Sequence, residues 1–123
     1  MLTHGFVRID DKSIAIIHMH GRHNSESVIK FLNKAFSSPR WIPKESRLCI
    51  MFCERGVIGD ELYGRKQRVD AIIDAQPERL GLLMPDQFSR AAGNEIKGLV
   101  AVGKIRCEIF RDLQDLYDWI LSG

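Results

Sequence analysis

Three of the four histidines of the chain, His18, His20 and His23, fall within the six residues HMHGRH. On a β-strand, His18 and His20 project from the same face with their Cα atoms about 6.5 Å apart, so both rings can reach one metal ion. A catalytic zinc needs a third protein ligand and an open position, and His23 or His4 would have to supply that ligand. The cluster therefore defines a metal-dependent alternative for the function of the chain.

A thiol could also do chemistry at Cys53, which is followed directly by Glu54 and Arg55. Cys53 ends an apolar run that predicts a central strand, and ligands of open α/β sheets bind at such carboxyl ends. A neighbouring cation lowers the pKa of a thiol and makes it reactive. The neighbouring strand ends near His20 and His23, which are the candidate bases. Cys53, His20 and His23 thus form the catalytic alternative.

The predicted β-hairpin argues against the metal site. With residues 11–12 as its turn, His4 faces Met19 and lies on the opposite face from His18 and His20. We therefore expect no metal and no cofactor, and half-buried histidines at the end of an apolar strand face. This register gathers four β-branched side chains on one face by pairing Ile9 with Ile14, Val7 with Ile16 and Gly5 with His18.

The hydrophobic pattern predicts elements in the order β-β-α-β-α-β-α-β-α. The strand-like runs are GFVRID, SIAIIHMH, RLCIMFC, RLGLLM and IRCEIF. Amphipathic stretches predict helices that begin after residues 24–25, span 60–75, and follow Asp86 and Asp112. Strands that alternate with helices are typical of a parallel sheet, and the opening hairpin adds an antiparallel pair. The fold class is therefore α/β with a mixed, mostly parallel sheet.

Composition limits the class of partner and the compartment. The chain has 123 residues, of which 45% are hydrophobic, and a net charge of +2. That charge is too small for the clustered basic face of a nucleic-acid-binding domain. No apolar run is long enough to span a bilayer, and no signal peptide is evident. Cys49, Cys53 and Cys107 form no CxxC pair, so we expect reduced thiols and a cytoplasmic protein. From the charge and the apolar runs we expect no nucleic-acid partner and no membrane insertion.

This order of elements, together with three local sequences, resembles the STAS and SEC14-like group of small bacterial domains, often called SpoIIAA-like. The second strand runs into HGRHNSES, similar to the group's glycine, short polar link and helix start. LCIMFCERGV resembles its central strand, and CEIFRDLQDLYDWI resembles its closing strand, cap and final helix with a late tryptophan. The resemblance implies a single STAS/SpoIIAA-like domain over residues 1–123.

Relatives in this group include regulators that bind a partner protein and are switched by phosphorylation. In them a serine or threonine begins the helix after the central strand. In this chain that junction is CERGVIGDELYGRK, and no serine or threonine occurs from Arg47 to Phe88. The resemblance therefore implies a non-enzymatic binding or regulatory module without the phospho-switch, with the metal- or cysteine-dependent enzyme as the alternative.

We expect contacts with an unidentified partner protein, or a small ligand, at Trp41, Arg55, Tyr63 and Arg65. Tryptophan and arginine dominate binding hot spots. Trp41, in SPRWIPK, is either an exposed interface anchor or folds back on the first helix.

Two further surfaces follow from the predicted elements. Arg65, Lys66 and Arg68 predict a solvated helix face. The edge strand IRCEIF permits a homodimer by sheet extension, although its alternating charges oppose such pairing.

Overall fold

The computed structural model describes residues 2–9, 11–19, 25–52, 62–84 and 87–122. Within these ranges the chain forms five strands and four helices in the predicted order. The elements are β1 (Leu2–Ile9), β2 (Lys12–Met19), α1 (Ser25–Phe36), β3 (Arg47–Phe52), α2 (Leu62–Ala75), β4 (Arg79–Leu83), α3 (Gln87–Ala101), β5 (Arg106–Phe110) and α4 (Leu113–Leu121). Among the described helices, none has the length and apolarity to cross a bilayer.

The strands form one sheet in the order β1-β2-β3-β4-β5. β1 is antiparallel to β2, and the three following pairs are parallel. The prediction of a mixed, mostly parallel sheet is therefore confirmed. β1 and β5 are its two edges, as expected for IRCEIF.

The hairpin register differs from the predicted one by two residues. Ile9 pairs with Lys12 and Val7 with Ile14, while Asp11 adopts a left-handed φ of 63° that aspartate tolerates in turns. A shift of two residues leaves every side chain on its predicted face, since faces alternate with a period of two. His4 accordingly opposes Ile17 and lies on the opposite face from the strand position of His18.

Helices cover the two faces of the sheet unequally. α1, α2 and α3 pack on the face that carries Ala15, Ile17 and Met19, which we call the three-helix face. α4 packs on the other face, the α4 face, where Leu116 and Ile120 meet a smaller cluster. β3 is buried along its whole length because it is central and covered on both sides, as its continuous apolar run predicts.

Two cysteines lie in these cores. Cys49 belongs to the cluster beneath α4, and Cys107 belongs to the three-helix face. Burial raises the pKa of each thiol to about 12, so both stay protonated and unreactive near neutral pH. This confirms their interpretation as small hydrophobic residues.

Two buried arginines hold the end of α4 on the sheet. Arg47 begins β3 and is 1% exposed; it donates to the Ile120 carbonyl and, at 2.6 Å, to the Ser122 carbonyl. Arg79 begins β4 and donates to the Trp119 carbonyl at 2.7 Å. The last carbonyls of a helix lack intrahelical partners and carry the negative end of its dipole, so cations satisfy them well. We call Arg47 and Arg79 the α4 clamp.

Candidate functional site

The carboxyl end of the sheet is where the sequence places its candidate chemistry. His18 is half-buried on the α4 face, opposite Thr3 and beside Met51. His20, His23, Cys53 and Arg55 lie outside the described residues, as do the side chains of Tyr63 and Arg65. In the part of the chain that the structure describes, no group of three or more His, Cys, Asp or Glu residues could hold a metal ion.

His4 packs as an aromatic ring between β1 and α1. Its ring lies edge-on to Phe31, with centroids 4.9 Å apart, and edge-on to Phe6 at 6.2 Å. Such edge-to-face contacts stabilise aromatic pairs. His4 therefore contributes to packing on the three-helix face and is not a third ligand beside His18.

The expectation of a solvated basic face on α2 is wrong for Arg68. Lys66 is exposed, but Arg68 is only 7% exposed and lines an apolar cavity that also touches Met19 and Phe52. Burial lowers the pKa of Arg68 to about 10. A sequence signal exists: Arg68 lies four residues before the buried Ile72 on one helical stripe.

The size of the cavity beside Arg68 decides what it can hold. Its volume is about 40 Å³. Sites for drug-sized ligands measure about 300–1,000 Å³, whereas one water needs about 10–15 Å³. The cavity is therefore a packing space of the core and does not fit an organic ligand.

Trp41 folds back onto the helical layer. It is 6% exposed, its ring centroid lies 4.8 Å from that of Phe36, and its Nε1 donates to the Ala75 carbonyl at 2.9 Å. The sequence leaves open whether Trp41 is exposed or folded back on the first helix, and in the structure it is folded back. The exposed-anchor interpretation of Trp41 is thereby corrected, and the side chain instead ties the segment after α1 to the end of α2.

A groove of about 860 Å³ opens at the amino end of the sheet, between the β1–β2 hairpin and the segment 39–45. We call it the hairpin groove. Its apolar lining comes from Phe6, Val7 and Ile42, and its cationic lining includes Lys12, Arg40 and Lys44. Val7 and Ile42 are both substantially exposed. The groove is therefore open to solvent, whereas the cavity beside Arg68 is closed.

The groove lining carries four basic and three acidic side chains, which is an excess of one positive charge. Arg8 pairs with Asp11 at 3.8 Å, and the Glu78 carboxylate is held by Arg47 at 3.1 Å. Among the described residues, Arg40 and Lys44 form no ion pair, and Glu45 is the remaining acidic neighbour in the lining. The electrostatic preference of the groove is therefore for an anionic group.

Hydrogen bonds fix the segment that carries these cations. The Ser13 hydroxyl donates to the Arg40 carbonyl at 2.8 Å, and the Lys44 amide donates to the Gln76 carbonyl at 2.6 Å. The Ile42 amide donates to the Ser46 hydroxyl at 2.8 Å. A surface held in place before binding loses less conformational entropy when a partner arrives. The segment that lines the groove is thus preorganised for binding.

The groove lining combines apolar and charged side chains with one hydroxyl group. It contains no histidine and no cysteine among the described residues. Ser13 is the hydroxyl of the lining, and it donates its proton to the Arg40 carbonyl. Sequence reasoning missed this groove, because two segments far apart in the chain form it.

These observations define the class: an α/β domain with a SpoIIAA-like fold. A crystal structure of an uncharacterized protein of the DUF3478 family from Shewanella loihica PV-4, itself described as having a SpoIIAA-like fold, aligns with a TM-score of 0.68. The two sequences are 14% identical, and the alignment covers 97% of this chain and 93% of that chain. No protein-family model and no curated protein matches the chain. The fold implied by the sequence resemblance is confirmed.

Proposed function

We propose that the chain is a non-enzymatic binding module that takes an acidic segment of a partner protein into the hairpin groove. One observation carries the proposal: a groove of about 860 Å³ combines apolar side chains with cations that form no ion pair among the described residues, on a hydrogen-bonded scaffold. The SpoIIAA-like fold supports the proposal, since the resemblance implies binding or regulation.

Apolar and charged contacts contribute differently to such binding. Burial of Val7 and Ile42 against a partner would supply affinity, because both are exposed in the free chain. Single surface ion pairs at Arg40 or Lys44 contribute about 0.2–1 kcal/mol each. Their larger effect is on the association rate and on discrimination against basic partners. The fitting partner is therefore a segment that alternates acidic and apolar residues.

The test is fluorescence anisotropy with labelled peptides of alternating glutamate and leucine, compared with peptides in which lysine replaces glutamate. We expect the acidic peptide to bind more tightly, and the double variant Arg40→Glu/Lys44→Glu to weaken it about tenfold, equivalent to about 1.4 kcal/mol. Higher salt should reduce the difference.

The matched control is Lys104→Glu, which reverses an exposed charge next to the opposite edge of the sheet. It should leave acidic-peptide binding unchanged. Equal binding of acidic and basic peptides would contradict the proposal, and so would an equal loss of affinity in Lys104→Glu.

The metal- or cysteine-dependent alternative depends on His20, His23 and Cys53, which lie outside the described residues. No observation on the described residues favours it.

A further inference from the structure

The two edges of the sheet differ in their protection against pairing with another chain. β5 has five residues, alternates Arg106 and Glu108, and pairs Glu108 with Lys97 at 3.2 Å. β1 has eight residues, and Arg8 is its one side chain with a permanent charge. Short, charged edges resist sheet extension, whereas long and weakly charged edges permit it. Of the two edges that the structure describes, β1 is therefore the less protected.

Gly5 lies in the middle of β1, and no contact with the described residues requires a glycine there. The ladder with β2 runs without a bulge from Leu2 to Ile9, and Gly5 sits opposite Ile16. A Cβ atom built at Gly5 meets nothing within 4 Å. Glycine weakens a strand interior and commonly marks the close approach of another backbone. Gly5 is therefore placed where a second strand could lie alongside.

An apolar strip lies next to this edge on the α4 face. Val7 is 40% exposed and Ile9 is 38% exposed, beside the half-buried Ile16. α4 itself packs against β4 and β5, two and three strands away from β2. A strand added at β1 would lie beside Val7 and extend this strip.

We propose that the added strand is β1 of a second copy of this chain, antiparallel about a twofold axis at Gly5. A twofold axis normal to the sheet keeps the faces aligned, so Gly5 opposes Gly5, Thr3 opposes Val7 of the second copy, and Leu2 opposes Arg8. The two five-stranded sheets become one continuous sheet.

The charges of β1 are compatible with this self-pairing. The two Arg8 residues lie six positions apart along the paired strands, which is about 20 Å at about 3.3 Å per residue. That separation exceeds the Debye length of about 8 Å at physiological salt, so their repulsion is screened. No like charges face each other directly in this register.

The test is sedimentation velocity of the full chain over a range of micromolar concentrations. We expect the mass to rise from 14.1 kDa towards twice that value. Gly5→Glu places two carboxylates directly opposite each other, and like charges juxtaposed at an interface cost enough to raise the dissociation constant at least about tenfold. Since the space around Gly5 is open, this variant should keep its native circular dichroism spectrum.

Val102→Glu is the matched control, because it adds the same charge at a side chain that is 83% exposed and lies outside β1. It should dimerise like the wild type. A monomer at every wild-type concentration would overturn the proposal, as would a dimer that persists in Gly5→Glu.

The two proposed surfaces share Val7, which lines the groove and lies on β1. The variants that separate them change residues of one surface only, since Arg40 and Lys44 lie on the segment 39–45 and Gly5 is not part of the groove lining. The Arg40→Glu/Lys44→Glu variant should lose peptide affinity and keep the dimer. Gly5→Glu should do the reverse, so failure of one proposal is distinguishable from failure of the other.

Discussion

Two groups of cations lie at the same end of the sheet and differ in burial and in pairing. The clamp residues Arg47 and Arg79 are buried and bonded to the carbonyls that end α4. The groove residues Arg40 and Lys44 are exposed and form no ion pair among the described residues. Residue type does not distinguish the groups, whereas burial and pairing do. The first group stabilises the fold, and the second is available to a partner.

The buried group is held by more than one kind of partner. Arg47 donates from Nε and Nη2 to the two Glu78 carboxylate oxygens as well as to backbone carbonyls. Arg79 lies 5.3 Å above the centre of the Trp119 ring and also donates to the Ser122 hydroxyl at 2.6 Å. These hydrogen bonds and the ring contact offset part of the cost of burying the two cations. The comparison between clamp and groove therefore makes quantitative predictions.

The largest effect is expected at the clamp. Arg47→Met removes the charged donors from the α4 carbonyls and should lower the free energy of unfolding by about 3 kcal/mol. Urea unfolding measures this loss. Arg40→Met in the groove is the matched control and should stay within about 0.5 kcal/mol of the wild type, as surface substitutions do. Equal losses in both variants would break the distinction between the two groups.

Packing beneath α4 should have a smaller effect than the clamp. A Cβ atom at Gly81 would overlap Leu116 Cδ1, so Gly81→Ala forces that side chain to shift and should cost about 1–2 kcal/mol. Leu116→Ala in the same chain should make the two losses less than additive.

Gly98→Ala is the control for this packing prediction. Gly98 is exposed within α3, and a Cβ atom there meets nothing within 4 Å. The substitution should stabilise the protein by about 0.5–1 kcal/mol, because alanine is the better helix former. Destabilisation by both glycine substitutions would show that the packing of Gly81 against Leu116 does not cause the loss of stability.

The smallest expected effect is a change in the rate of thiol alkylation when α4 is loosened. Cys49 lies beneath α4 and Cys107 on the three-helix face. Arg47→Met should therefore speed alkylation of Cys49 more than that of Cys107, as measured by mass spectrometry, while Arg40→Met should change neither. An equal increase at both thiols would indicate global unfolding instead of local release of α4.

The same thiols set a direction for the effect of pH on stability. Each has a pKa raised to about 12 in the folded chain from an ordinary value of 9.0. The unfolded chain loses these protons first, so the stabilising contribution is complete below pH 9 and declines as the pH rises towards 12.

The elements and faces of the sheet could be predicted because they follow from hydrophobic periodicity. The hairpin register could not, since Asp11 and its neighbours all suit a turn and a shift of two residues preserves the pattern. Arg68 was assigned to solvent on its charge, although its position on the stripe of Ile72 indicated burial. The clamp and the groove depend on tertiary contacts that no local pattern contains. His20, His23 and Cys53 remain predictions.

The clamp joins two segments of the chain that the ribosome makes at different times. Arg47 bonds to a carbonyl 73 positions further along the chain. At a translation rate of about 5–20 residues per second, β3 leaves the ribosome about 4–15 s before its helical cover has been made. During that interval α4 does not yet exist to cover Cys49 and Met51.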